Sequence, residues 1–98
     1  MFDFSGKTVL VTGASRGIGR AIALAFGAAG AEVILVSRKQ DALEKVRGEI
    51  EAKGGRAHAT AANLGRMDEV RSLVEKAFAV SGRIDVLVNN AATNPVFF

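Results

Sequence analysis

The sequence contains no cysteine, tyrosine or tryptophan, and its single proline is Pro95. Without cysteine, a disulfide framework and a thiolate metal site are excluded, so a cytoplasmic location is expected and no metal site is predicted. The longest nearly uncharged stretch, Ala21–Val36, contains Glu32 and is shorter than the roughly 20 apolar residues that a membrane span needs. No basic flank precedes an apolar run at residues 1–5. We therefore expect neither a membrane helix nor a secretory signal.

Neither sign of charge is in large excess, since the formal net charge is only +3. Bases alternate with acids along the chain, as in Glu44–Glu49, which is typical of a solvated surface. A nucleic-acid interface would need a one-sided basic stripe or interleaved aromatic residues, so no nucleic-acid partner is expected. With 98 residues, 49% hydrophobic and 23% charged, the chain fits one soluble globular domain over residues 1–98.

Short apolar runs rich in β-branched residues alternate with longer segments of helical period, the pattern of βαβ units around a parallel sheet. The predicted strands are Thr8–Thr12, Glu32–Ser37, Arg56–Ala61 and Asp85–Asn89, and the predicted helices are Gly17–Ala29, Gln40–Lys53 and Met67–Ser81. The third strand is rich in alanine and alternates, which favours an edge position. The predicted fold class is α/β, a Rossmann-like parallel sheet truncated to four strands in the order 3-2-1-4 with three helices.

Each predicted helix carries an apolar face that should pack on the sheet. These faces are Ile18, Ala21, Ile22, Ala25 and Phe26 in the first helix, Leu43, Val46 and Ile50 in the second, and Val70, Leu73, Val74, Ala77 and Phe78 in the third.

A glycine-rich turn joins the first strand to the first helix, with glycines at positions 13, 17 and 19. A phosphate at a helix N-terminus meets unpaired backbone N–H groups and the positive end of the helix dipole, and glycine lets the backbone approach it closely. Gly13 is expected to make the turn, Gly17 to permit the approach, and Gly19 to let the helix lie against the sheet. An ordinary tight connection is the alternative, but the position between a buried strand and a helix favours phosphate binding.

The segment Thr12-Gly13-Ala14-Ser15-Arg16-Gly17-Ile18-Gly19 resembles the signature of the short-chain dehydrogenase/reductase family, and the preceding Phe4–Val11 resembles that family's usual approach to it. Asn89-Asn90-Ala91-Ala92 is similar to the family's Asn-Asn-Ala-Gly, with Ala92 in place of the usual glycine. The resemblance implies that a nicotinamide dinucleotide is bound by Gly13, Ser15, Arg16, Gly17, Ile18 and Gly19, with Asn90, Ala91 and Ala92 lining its ribose.

The residues after the second predicted strand bear on the choice of dinucleotide. Folds that select NAD place an acid about 20 residues past the last glycine, whereas an arginine there accommodates the 2′-phosphate of NADP. This chain has Ser37, Arg38 and Lys39 at that point and no acid. A solvated pair of loop charges is the alternative, but we expect NADP(H) rather than NAD(H).

After the third predicted strand, Asn63 and Leu64 stand where the resemblance implies an aspartate and an aliphatic residue against the adenine. The amide of Asn63 could bond the base edge or serve as a turn residue, and both remain open. His58 is interpreted as a structural residue of the edge strand.

The resemblance implies catalysis by a tyrosine, a lysine, a serine and a further asparagine that follow the Asn-Asn-Ala-Gly motif, but the chain has no tyrosine. We therefore predict no catalytic residue here. The chain is interpreted as the NADP(H)-binding portion of a carbonyl reductase or alcohol dehydrogenase. The alternatives are a nucleotide-binding module without catalysis and a strand-paired assembly fragment. A bare fourth strand also predicts self-association, or dependence on a C-terminal part.

Overall fold

The computed structural model describes residues 3–90 of the chain. The elements run in the order β1 (Thr8–Thr12), α1 (Gly17–Ala28), β2 (Glu32–Ser37), α2 (Gln40–Ala52), β3 (Arg56–Ala61), α3 (Met67–Ser81) and β4 (Val86–Val88). The predicted elements are all present. α1 and α2 end one residue earlier than predicted, and β4 is one residue shorter at each end.

The four strands form one parallel sheet in the order β3-β2-β1-β4, as the sequence predicted. Thr8 of β1 is level with Glu32 of β2, and Glu32 is level with Arg56 of β3. On the other side of β1, Val9 is level with Val86. β1 and β2 are therefore the central strands, and β3 lies at an edge as its composition indicated. The carboxyl ends of β1 and β2, where the glycine turn and Arg38 follow, lie side by side.

The sheet has an apolar core on each face because side chains alternate along a strand. Val9, Val11, Val33 and Leu35 belong to the core beneath α1 and α2. Leu10, Ile34 and Val36 belong to the core that includes Leu73 and Ala77 of α3. β1 is buried along its whole length. This continuous burial is typical of a parallel strand covered on both faces.

The face of α1 that contacts the sheet differs from the prediction. Ile18 is 72% exposed, and Ala21 and Ala25 are exposed as well. The buried residues are instead the small ones, Gly19, Ala23 and Gly27. A Cβ added at Gly27 would lie 2.9 Å from Ile50 Cγ2, so the glycine lets α1 approach α2. Small residues therefore face inward, because close approach leaves no room for large ones.

Ile22 and Phe26, also predicted on that face, are half-buried and pack against the core. The ring of Phe26 meets that of Phe4 edge-on, with centroids 5.0 Å apart. This contact fastens the segment before β1 to α1, and the N–H of Phe4 also donates to the carbonyl of Ala29 at 2.8 Å.

The predicted inward face is confirmed for α2 and was wrong in part for α3. Leu43, Val46 and Ile50 of α2 are all buried, as predicted. In α3 only Leu73 and Ala77 are buried, whereas Val70 is half-buried and Val74 and Phe78 are 43% and 49% exposed, so the predicted inward face was too wide. Within residues 3–90, α3 is alone on its face of the sheet, and nothing covers its flank. No helix in this part of the chain is long and apolar enough to cross a membrane.

Candidate functional site

The glycine turn after β1 has the backbone conformation that its glycines permit. Gly13 has φ +62° and Gly17 has φ +59°, values that side chains with a Cβ rarely adopt. Between them, the N–H of Ala14 donates to the carbonyl of Val36 at 3.1 Å, and the Ala14 side chain is fully buried. The turn is therefore fixed to β2 at its centre while its two ends bend sharply.

Gly19 supplies the close approach of α1 to the turn. A Cβ added there would overlap the carbonyl oxygen of Gly13 and lie 2.6 Å from Asn90 Nδ2. The predicted role of Gly19 is thus seen as a contact with both the turn and the segment after β4. Any side chain at this position would push α1 away from both.

The start of α1 presents a surface suited to an anion. Arg16, Gly17 and Ile18 are exposed, and Ser15 is half-buried. The first turn of α1 holds no acidic residue, and Arg16 at the N-cap makes no side-chain cap bond. The first backbone N–H groups of a helix lack intrahelical partners and carry the positive end of its dipole. A phosphate group would satisfy them.

Thr12, the last residue of β1, connects the turn to the end of β4. Its hydroxyl accepts the N–H of Asn90 at 2.8 Å and lies 3.1 Å from Asn89 Oδ1 and 3.3 Å from the Val88 carbonyl oxygen. Asn90 is thereby brought beside Gly19. Sequence reasoning placed Thr12 in the motif without giving it a role, and its position before Gly13 was the available signal. Ala91 and Ala92 lie outside the described residues.

Ser37, Arg38 and Lys39 form the corner between β2 and α2. The Ser37 hydroxyl accepts the N–H of Lys39 at 3.2 Å, so its oxygen helps to close the corner. Arg38 and Lys39 are exposed, and neither side chain makes a hydrogen bond or ion pair with any residue in the described part of the chain. The nearest acid along the chain is Asp41, in the first turn of α2. The corner carries two uncompensated positive charges.

Asn63 acts as a turn residue after β3. Its Oδ1 accepts the N–H of Gly65 at 2.9 Å, and its own N–H donates to Glu69 Oε1 at 2.8 Å. Of the two roles left open by the sequence, the turn is the one seen. Leu64 is half-buried and packs against the core on the α3 face.

His58 has a structural partner that the sequence did not reveal. Its Nε2 lies 2.6 Å from Glu32 Oε2 on the adjacent strand β2. The pair joins the first residue of β2 to the third residue of β3, in the half of the sheet away from the glycine turn. His58 is therefore apart from the residues predicted to bind a nucleotide.

A family model described as short chain dehydrogenase matches residues 7–97 of this chain. An uncharacterized oxidoreductase of Mycobacterium tuberculosis is 42% identical over 90 residues, which cover 92% of this chain and 34% of that protein. A 3-oxoacyl-[acyl-carrier-protein] reductase of Synechocystis is 46% identical over 92 residues, which cover 93% of this chain and 37% of that protein. The chain spans about a third of the length of these relatives.

Solved structures are similar to the same part of the chain. A metagenomic short-chain oxidoreductase in complex with NADP superposes with a TM-score of 0.89 at 46% identity, covering 92% of this chain and 41% of that one. A hydroxysteroid dehydrogenase from Escherichia coli superposes with a TM-score of 0.87 at 37% identity, covering 89% of this chain and 37% of that one.

Proposed function

Because this chain belongs to the short-chain dehydrogenase family, we propose that it is the NADP(H)-binding portion of an oxidoreductase that reduces carbonyls or oxidises alcohols. The single observation that carries the proposal is the glycine turn, in which two left-handed glycines and the contact of Gly19 with Gly13 leave the start of α1 exposed. The chain has no tyrosine and spans about a third of its relatives. Both facts favour catalytic groups supplied by sequence outside this chain.

The diphosphate of the dinucleotide is proposed to lie at the start of α1. Gly13, Ser15, Arg16, Gly17, Ile18 and Gly19 are the proposed contacts. Backbone N–H groups there lack partners within the helix, and no acid in the first turn would repel the phosphates. The turn is already held in place, because Ala14 is bonded to β2 and Thr12 to the end of β4, which supports binding at this point.

The 2′-phosphate of NADP(H) is proposed to lie at the corner formed by Ser37 and Arg38, with Lys39 adding positive charge. A guanidinium can donate two parallel hydrogen bonds to a phosphate, and no acid stands at the corner to bind ribose hydroxyls instead. The similar metagenomic oxidoreductase is in complex with NADP, which supports the same cofactor here.

The remaining proposed contacts lie on either side of the glycine turn. Leu64 and the amide nitrogen of Asn63 would meet the adenine, since the Asn63 oxygen is already bonded to Gly65. Asn90, Ala91 and Ala92 would line a ribose. Asn90 Nδ2 lies beside Gly19, which supports its proximity to the bound nucleotide.

The proposal is tested by calorimetric titration of the chain with NADP⁺ and with NAD⁺, repeated on Arg38→Ala. Loss of a charge-assisted hydrogen bond to phosphate should raise the Kd for NADP⁺ by about 10- to 100-fold. The Kd for NAD⁺, which lacks the 2′-phosphate, should stay unchanged.

Arg71→Ala is the matched control, because Arg71 is exposed on α3 and its side chain has no partner among residues 3–90. It removes the same charge and should leave both Kd values unchanged. Equal weakening of both nucleotides by Arg38→Ala, or tighter binding of NAD⁺ than of NADP⁺, would contradict the proposed clamp. A folded chain that binds neither nucleotide would favour the strand-paired fragment instead.

Self-association through the outer edge of β4 is proposed as well. Leu87 is 64% exposed, and β4 pairs only with β1 in the described sheet. An apolar strand edge with unpaired backbone groups favours pairing with another chain. Light scattering after size exclusion should show dimers or larger species that Leu87→Lys reduces. A monomer at high concentration would contradict this proposal without bearing on nucleotide binding.

A further inference from the structure

Gln40 connects the corner that carries Arg38 to the edge strand β3. It is the first residue of α2 and follows Lys39 directly. Its Oε1 accepts the N–H of Ala61 at 3.1 Å, and its Nε2 lies 3.4 Å from the carbonyl oxygen of Ala59. One side-chain amide therefore meets two backbone groups of β3.

The two backbone groups that Gln40 meets face the free edge of the sheet. Ala62, next in the chain, donates its N–H to the carbonyl of Ser37 at 2.8 Å, which is a bond toward β2. Since alternate residues of a parallel strand bond to opposite neighbours, the N–H of Ala61 points away from β2. The amide of Gln40 thus occupies the place where a neighbouring strand would offer a peptide group.

The corner is consequently fastened to β3 at both of its ends. Ser37 is held through its carbonyl to Ala62, and Gln40 is held through its side chain to Ala61. Only Arg38 and Lys39 lie between these anchors. Inside the corner the Ser37 hydroxyl accepts the N–H of Lys39, and the Lys39 carbonyl accepts the N–H of Leu43 at 3.1 Å. The backbone of Arg38 is therefore confined while its side chain is exposed.

The side chain of Gln40 is itself held in place by α2. Its Nε2 donates to Glu44 Oε2 at 2.8 Å, and Arg47 Nε donates to Glu44 Oε1 at 2.6 Å. Arg47 also donates to both carboxylate oxygens of Glu51, at 3.2 Å each. These hydrogen bonds, first from Arg47 and then from Gln40, lower the pKa of the Glu44 carboxyl and keep it charged as an acceptor.

We propose that Gln40 is a positioning residue for cofactor selection, which fixes the corner so that Arg38 is held ready for the 2′-phosphate of NADP(H). The inference rests on the proposed function, since it concerns the same corner. Gln40 has an indirect role, because both polar atoms of its side-chain amide already meet groups of β3 and α2. It acts by limiting the positions that the backbone of Arg38 can take, and a corner whose backbone is ordered before binding loses less entropy when the ligand arrives.

The test is the ratio of NADP⁺ to NAD⁺ affinity in the chain and in Gln40→Met, which keeps the length of the side chain and removes its hydrogen bonds. The ratio should fall about threefold to tenfold, the cost of ordering one further side chain on binding, with the NAD⁺ affinity unchanged. Amide hydrogen exchange should quicken at Ala61. Glu44→Ala, which leaves Gln40 in place and removes its support from α2, should lower the ratio by a smaller factor, and it keeps the test decisive if Gln40→Met does not fold.

Ala52→Gly is the control for a general loosening of α2, because it weakens the last turn of the helix and touches none of these contacts. It should lower thermal stability and leave the affinity ratio unchanged. A chain that prefers NADP⁺ and keeps this ratio in Gln40→Met would overturn the inference alone. A folded, unaltered chain that binds neither nucleotide would overturn the proposed function and the inference with it.

Discussion

The two faces of the sheet are covered to different extents. On one face, the inward side chains of α2 are at most 3% exposed; these are Leu43, Val46 and Ile50. On the opposite face Phe78 of α3 is 49% exposed, and Leu87 of β4 is 64% exposed. Leu87 is level with Leu10, a residue of the core beneath α3, so it lies on the α3 face. Within residues 3–90, one face has a closely packed core, and the other is covered only where α3 crosses it.

The difference follows from how many helices share a face. α1 and α2 pack together where Gly27 meets Ile50, and an ion pair between Arg20 and Glu49 joins their exposed sides. α3 has no such neighbour within residues 3–90. The glycine turn and the Arg38 corner lead into the two paired helices. The proposed site is thus built on the more completely packed side of the sheet, and precise placement of a ligand requires such support.

Deleting a large side chain from each face should give the largest contrast. Leu43→Ala should lower the free energy of unfolding by about 3 kcal/mol, because it leaves a cavity in a fully packed core. Leu87→Ala should cost less than about 1 kcal/mol, since its side chain is mostly in water. Urea denaturation of both variants measures the difference. Equal losses would mean that the two faces of the sheet are equally packed.

Replacing two glycines on the α1 and α2 side of the sheet with alanine should change stability in opposite directions. Gly19→Ala should lower stability by about 2 kcal/mol and weaken nucleotide binding, because the new methyl overlaps the Gly13 carbonyl. Gly48→Ala places its methyl in open space within α2 and should raise stability by about 0.5–1 kcal/mol. Thermal denaturation and calorimetry measure both effects. A stable Gly19→Ala that binds nucleotide normally would contradict a close-packed turn.

The same contrast explains which predictions succeeded. Most element bounds could be read from the sequence, because apolar runs and helix-ending glycines are local signals. The strand order could be predicted because the alternation of strands and helices indicates a doubly wound sheet. The inward face of α2 could be read as well, because large residues lie on it. The faces of α1 and α3 could not. Ile18 is exposed because the inward face of α1 is formed by small residues such as Gly19, and Val74 is exposed because no helix within residues 3–90 packs beside α3.

The candidate site was predictable only in part, because some of its contacts join residues that are far apart in the chain. The glycine positions and Asn90 follow from the motif, and the structure brings Asn90 beside Gly19. The roles of Thr12 and Gln40 depend on contacts with residues 78 and 21 positions away in the chain. No local pattern reports such pairings. The partnership of His58 with Glu32 escaped prediction for the same reason.

The smallest expected effect concerns the junction of β4 with β1, on the less protected side of the molecule. The Asp85 carboxylate accepts the N–H of Thr8 at 2.8 Å, and hydrogen bonds from Arg83 and then from Thr8 lower its pKa below the usual value.

A carboxyl whose pKa is lower in the folded state stabilises the fold above its unfolded pKa of about 3.9, and this contribution is lost as pH falls through the folded pKa. Asp85→Asn should therefore be less stable than the unaltered chain at pH 7, and the difference should be smaller at pH 3, which lies below the unfolded pKa. Urea denaturation at both pH values measures it, with Glu75→Gln, at an exposed acid in the middle of α3 that makes no hydrogen bond within residues 3–90, as the control that should show no difference at either pH. A deficit of the same size at pH 7 and pH 3 would mean that the charge of Asp85 does not hold β4 to β1.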